Sequence, residues 1–111
     1  MAPRSTDKKT VSCPVEITLK VMAGRWKVLI IQQLLAQPKR FNQLQRELPG
    51  ITHRTLTKQL REMEAQQMVI RHDYHKIPPR VEYRLSALGH SLKIVLNAMH
   101  DWAVKYGTQI I

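Results

Sequence analysis

Arg54, Thr57, Lys58 and Arg61 recur at intervals of three and four residues in the middle of a 111-residue chain. That spacing gathers side chains on one face of an α-helix. Leu56, Leu60 and Met63 share the period and fall on the opposite face. A guanidinium can grip the O6 and N7 edge of guanine. A threonine can touch a thymine methyl or a phosphate, and an ammonium can neutralise a phosphate. His53 stands at the start of this face. Thr52, just before it, can cap the helix through its hydroxyl, at an end whose free N–H groups favour a phosphate. The chemistry these residues offer is recognition of a polyanion rather than the making of bonds.

Such a face needs a frame. The helix is expected from about His53 to Gln67. Ahead of it, Pro49-Gly50 breaks the chain and Ile51 packs in the turn. A short helix precedes the break, with Leu44 and Leu48 inward and Asn42 as its cap, Gln45 standing three residues on. Two helices joined by a tight turn, the second basic on its outer face, make a helix-turn-helix. Over residues 38–61, Lys39, Arg40, Arg46, Arg54, Lys58 and Arg61 face Glu47 alone. Downstream, residues 69–75 and 81–85 alternate as strands. Lys76-Ile77-Pro78-Pro79-Arg80 cannot continue a ladder, because adjacent prolines donate no N–H. A hairpin with a basic tip follows, and Lys76 and Arg80 would meet the backbone or minor groove of flanking DNA. The expected fold is mainly α with a β-hairpin wing (α+β), a winged helix-turn-helix.

The flanking segments read as structural. Residues 1–12 lack periodicity and read as a flexible basic tail, with the domain over 13–107. Pro14 suits the first turn of a helix that carries Ile17, Val21 and Met22 on one face and ends at Gly24. The stretch from Trp26 to Leu35 is apolar around much of its circumference and should be the most buried helix, with Pro38 ending it. Ser86 can cap a last helix on which Leu88, Leu92, Val95, Met99, Trp102 and Tyr106 form a heptad seam. Ile17 and Val21 with Leu92, Val95, Met99, Trp102 and Tyr106 are the expected dimer interface. Trp26, Met99 and Trp102 could line a small-ligand pocket there.

Eighteen Lys and Arg against eight Asp and Glu give a net charge of +10, which implies DNA, RNA or an anionic membrane as partner. No apolar run approaches the ~20 residues that cross a bilayer. No hydrophobic run follows the charged start either, so no secretory signal is read there. A single cysteine, Cys13, excludes an intrachain disulfide and suits a reducing cytoplasm. His72 and His75, three apart on a strand, would point to opposite faces, and His53, His90 and His100 lack ligand spacing. No metal or other cofactor is expected, and no enzyme, since nucleophile motifs and phosphate-cradling glycine loops are missing. Glu62 and Glu64 read as solvated helix charges. The rival from another class is an RNA-binding or ribosome-associated basic protein. Aromatics are only 5% of the chain and most fall on core stripes, which favours duplex DNA over single-stranded RNA.

Several segments together resemble the HxlR-type winged helix-turn-helix regulators of bacteria and archaea. They are Cys13-Pro14-Val15, Gly24-Arg25-Trp26-Lys27-Val28-Leu29-Ile30 and Lys39-Arg40-Phe41-Asn42-Gln43-Leu44. Leu48-Pro49-Gly50-Ile51, the run from Leu56 to Glu64, and Pro78-Pro79-Arg80-Val81-Glu82-Tyr83 complete the set. The resemblance spans about residues 13–105. Ala23 departs from a second glycine common in the family, and Met68 sits where glycine-leucine is common. The resemblance implies a dimeric transcription factor with DNA contacts at Thr52, Arg54, Thr57, Lys58 and Arg61. It also implies pairing of the first and last helices with those of a second copy, on a pseudo-palindromic operator. Cys13 precedes Pro14 at a helix N-terminus, where an anion is favoured. Several members of the family resembled sense oxidants or electrophiles through a cysteine at this place. With one cysteine per chain, the outcomes are an intersubunit Cys13–Cys13 bond or a small-molecule adduct.

Overall fold

The computed structural model describes residues 13–111, and the basic tail expected over residues 1–12 lies outside them. Pro14 opens helix α1 (Pro14–Val21), where its missing N–H is no loss. Met22 ends the helix and Gly24, at φ +76°, turns the chain in the left-handed conformation expected of it. Helix α2 (Trp26–Ala36) is the central rod of the core, with Ile30, Ile31 and Leu34 fully buried. Pro38 then leads into strand β1 (Lys39–Arg40), an element too short to show a period in the sequence.

Helix α3 (Phe41–Glu47) starts two residues earlier than a cap at Asn42 requires. Arg40 is the capping position, and Gln43 Oε1 accepts its N–H at 3.0 Å. Pairing β1 into the sheet fixes Arg40 as extended, which sets where the helix begins. Helix α4 (His53–Ala65) has the expected start, with Thr52 Oγ1 accepting the Thr55 N–H at 3.1 Å. It ends two residues before Gln67, which takes φ +64° while the Met68 N–H reaches back to the Met63 carbonyl at 2.9 Å. This is the left-handed closure that glycine usually provides.

Strands β2 (Val69–Asp73) and β3 (Val81–Leu85) form the expected hairpin, and β1 joins it in the antiparallel order β1-β3-β2. Val69 faces Leu85, and Lys39 faces Tyr83. Strand β2 stops at Asp73. His75 lies beyond it at φ +52°, so the alternation argument for His72 and His75 does not apply.

The last helix is two helices. Ser86 caps α5 (Ala87–His90) as expected, its Oγ accepting the Gly89 N–H at 3.0 Å. The chain then tightens through Ser91 and Leu92, where the Leu92 N–H bonds to the Gly89 carbonyl at 3.2 Å, before α6 (Lys93–Ile110). This break corrects the seam. Leu92 is buried in the core beside Leu96, so it offers little to a partner. Val95 leans against the same core, while Met99, Trp102 and Tyr106 stay exposed. Helix α6 also continues past residue 107 to Ile110. Among the described residues no helix is long and apolar enough to cross a membrane.

Candidate nucleic-acid interface

The turn that sets α3 against α4 is built by four residues. The Ile51 N–H bonds to the Leu48 carbonyl at 3.1 Å across Pro49 and Gly50, and Gly50 has φ +91°. Proline second and a positive-φ glycine third is the pattern of a type II turn. Leu48 and Ile51 are buried on either side of it, so the turn is clamped to the core. Helix α4 then inserts Leu56, Leu60 and Met63, all fully buried, and turns the opposite face outward.

That outward face holds the residues the sequence assigned to it. Arg54, Lys58 and Arg61 are exposed, and with His53, Thr57 and Glu62 they line an open groove along the helix. Thr57, half-buried, donates its Oγ1 hydroxyl to the His53 carbonyl at 2.9 Å. The His53 ring packs on Phe41 with centroids 4.7 Å apart and a 48° tilt, so it also joins the start of α4 to the start of α3. Thr52 Oγ1 donates to Thr55 Oγ1 at 3.0 Å besides accepting from the Thr55 amide. Its hydroxyl is committed to the helix, and a phosphate there would meet first-turn amides instead.

The remaining cations divide. Lys39, counted in the basic stretch, is only 6% exposed and bonds to Gln33 and Glu47, so its charge is neutralised inside the protein. Arg40 is exposed and pairs in register with Glu82 on the outer face of the sheet. With Arg46, Arg80 and Glu82 it lines a second polar groove. Arg80 was expected to reach out from the wing tip. It turns back instead: Nη2 lies 3.0 Å from Glu82 Oε2, and its guanidinium covers the Tyr74 ring at 4.8 Å. Tyr74 donates its hydroxyl to Glu82 Oε1 at 2.9 Å. The Arg80 and Tyr74 bonds hold the Glu82 carboxyl below its usual range, and the His75 amide does the same for Asp73. Lys76 remains the exposed cation of the wing tip.

A contact between α2 and α4 was also missed by sequence reasoning. Lys27 Nζ lies 3.0 Å from Glu62 Oε1, tying α2 to α4, so Glu62 is not the simple solvated charge expected. The hydrogen bond and charge of Lys27 lower the Glu62 carboxyl from its ordinary value. The only charged residue in a largely apolar helix was the available signal.

The helices at the two ends leave apolar side chains in water. Ile17 of α1 is exposed, while Val21 packs against the core. On α6, Met99, Trp102 and Val104 are exposed, and the Trp102 and Tyr106 rings lie 5.5 Å apart. Trp102 is 55% exposed and Tyr106 is exposed too, so neither lies on a core stripe, whereas Trp26 packs against the core with Arg25 over its ring. Cys13 is exposed at the capping position of α1, its carbonyl accepting the Glu16 N–H at 2.8 Å.

Comparison with known proteins agrees with this geometry. A family model described as HxlR-like helix-turn-helix matches residues 21–110. The uncharacterized HTH-type transcriptional regulator YybR of Bacillus subtilis (strain 168) is 46% identical over 90 residues, covering 81% of this chain and 72% of that protein. A second regulator of the same organism, YdeP, is 43% identical over 98 residues, covering 88% of this chain and 77% of its own. The solved structure of the redox regulator HypR in its reduced form superposes with a TM-score of 0.81 at 42% identity, covering 85% of this chain and 93% of that one.

Proposed function

This chain belongs to the HxlR-like helix-turn-helix family, whose members are transcriptional regulators and not enzymes, and from that premise we propose that it binds a specific double-stranded DNA operator as a homodimer and represses the adjoining genes. The observation that carries this reading is the face of α4, where Arg54, Lys58 and Arg61 stand exposed opposite a fully buried stripe. The major groove, ~12 Å wide, admits one such helix, while the helix before it crosses the backbone. Arg54 or Arg61 reads a guanine, Thr57 meets a thymine methyl or phosphate, and Lys58 neutralises a phosphate. Arg40 and Lys76 serve the flanking backbone.

The second copy pairs through the apolar faces of α1 and α6, with Ile17, Met99, Trp102 and Tyr106 at the contact. Two-fold symmetry then sets half-sites about 34–36 Å apart, or a multiple of that, on a pseudo-palindrome. Repression follows from occupying the site polymerase needs. Likeness to the redox regulator HypR supports an oxidant or small-molecule effector acting at Cys13. Two Cys13 thiols of a dimer can yield two electrons to an oxidant and join, or one can take an adduct.

The test is fluorescence anisotropy of the purified protein on its own upstream DNA and on random duplex, across a salt series, with and without diamide. Preference for the upstream duplex with a steep salt slope supports the reading. A diamide response absent in Cys13→Ser assigns the effector site. Equal binding to both duplexes removes operator specificity and makes RNA the next ligand to try.

A further inference from the structure

We propose that Lys27, buried on the core side of α4, sets DNA affinity by keeping the Glu62 carboxylate out of an ion pair with Lys58. The inference rests on the DNA-binding reading above. Lys27 lies in the first turn of α2 with its side chain only 8% exposed, and its ammonium is 3.0 Å from Glu62 Oε1. Glu62 is 42% exposed and borders the same groove as Arg54, Thr57, Lys58 and Arg61. It is the carboxylate in the groove proposed to meet phosphates. Lys58 sits one helical turn before it, at the i, i+4 spacing at which helix side chains pair, and its charge already acts on Glu62, while the carboxylate's ion pair is with Lys27. An unheld Glu62 would therefore act twice against binding. It would repel the phosphates, and it would draw the Lys58 ammonium into an ion pair along the helix. Lys27 neutralises it from the core side and leaves Lys58 free to face outward. Lys27 is thus a positioning residue.

The test compares operator binding of wild type, Lys27→Met, Lys27→Met/Glu62→Gln and the matching Lys58→Met variants over a salt series, with folding followed by circular dichroism. Removing one partner of an ion pair is costly where the other is left buried, but Glu62 is half-exposed and can be solvated when Lys27 is replaced by an apolar side chain of similar length. Lys27→Met is expected to fold, to bind about three- to tenfold more weakly at moderate salt, and to lose about one unit from the slope of log K against log salt. Adding Glu62→Gln is expected to restore both. Lys58→Met is expected to cost less in the Lys27→Met background than in wild type. Wild-type affinity and slope in Lys27→Met overturn the inference, as does a loss that Glu62→Gln does not repair. Lys27→Gln, polar but uncharged, carries the same comparison if the methionine variant melts early. Wild type that fails to bind duplex DNA at all overturns the functional reading itself, before any variant is compared.

Discussion

Lys39 Nζ lies 2.5 Å from Glu47 Oε1, joining the strand that enters α3 to the last residue of that helix. The pair stands among the cations of the helix-turn-helix, yet its charge is already balanced. Proximity in sequence to a DNA-facing element therefore does not make a lysine a DNA contact.

The first prediction separates the two kinds of cation. Lys39→Met should leave the salt slope of DNA binding unchanged. Arg54→Ala or Arg61→Ala should lower its magnitude by about one, and should cost ~1–3 kcal/mol if the arginine reads a base. Equal slopes for Lys39→Met and Arg54→Ala would mean that the DNA surface lies elsewhere.

Thr52→Ala removes the acceptor for the Thr55 amide at the start of α4. It should destabilise the protein by about 1 kcal/mol, a fall in Tm of ~4–8 °C, whereas Thr52→Ser should be close to neutral. Calorimetry on the three proteins checks this, and an unchanged Tm in the alanine variant would show that the cap contributes nothing.

Two backbone positions should respond with opposite signs. Gln67 is held at φ +64°, so Gln67→Gly should raise stability by about 0.5–1 kcal/mol. A Cβ on Gly89 would sit 2.4 Å from the Met68 carbonyl oxygen, a backbone atom, so Gly89→Ala should destabilise by at least ~1–3 kcal/mol. Urea titrations distinguish them by the direction in which the midpoint moves.

Acid should loosen the wing. Glu82 is held below its ordinary value of 4.5 by Arg80 and Tyr74, and Asp73 below 3.8 by the His75 amide. A depressed folded value contributes stability that is complete above the unfolded value and is lost as pH falls through the folded one. Tm should therefore hold from neutral pH to about pH 5 and drop below about pH 4.5. Glu82→Gln should begin lower at neutral pH and show a smaller acid drop. A parallel curve for the variant would exclude Glu82 from the effect.

Assembly can be probed where it does not disturb the core. Val95 packs against the core, so a charge there would confound folding with pairing. Trp102→Glu places the charge on an exposed position of α6. Light scattering should give the mass of one chain for Trp102→Glu and of two for wild type. A two-chain mass in the variant would take Trp102 out of the interface.

The helices of the central motif were legible because their signals are local. Thr52, Pro49-Gly50 and the Leu56–Leu60–Met63 stripe each dictate geometry within a few residues. What escaped depends on partners distant in sequence. Strand β1 exists because β3 offers it an edge, and that pairing moved the start of α3 away from Asn42. Arg80 reads as a free cation until Tyr74 and Glu82 are placed beside it. Lys27 and Glu62 are 35 positions apart by their numbers, beyond any periodicity. The Leu88–Leu92 end of the seam separated from the rest for another reason: a heptad count assumes one unbroken helix, and the tightened turn at Ser91 and Leu92 divides α5 from α6.

Helix α6 has one more consequence, for the fate of the chain after synthesis. With Ile94, Trp102 and Val104 left in water, a lone copy displays the kind of surface by which chaperones and proteases identify unfinished proteins. Covering that surface shields the chain and stabilises its fold by mass action. If the proposed pairing covers that surface, turnover should be fastest when copies are few and should slow as they accumulate, so that the amount present rises more steeply than the rate at which it is made. A sparse regulator would in this way be cleared quickly, and an abundant one would persist.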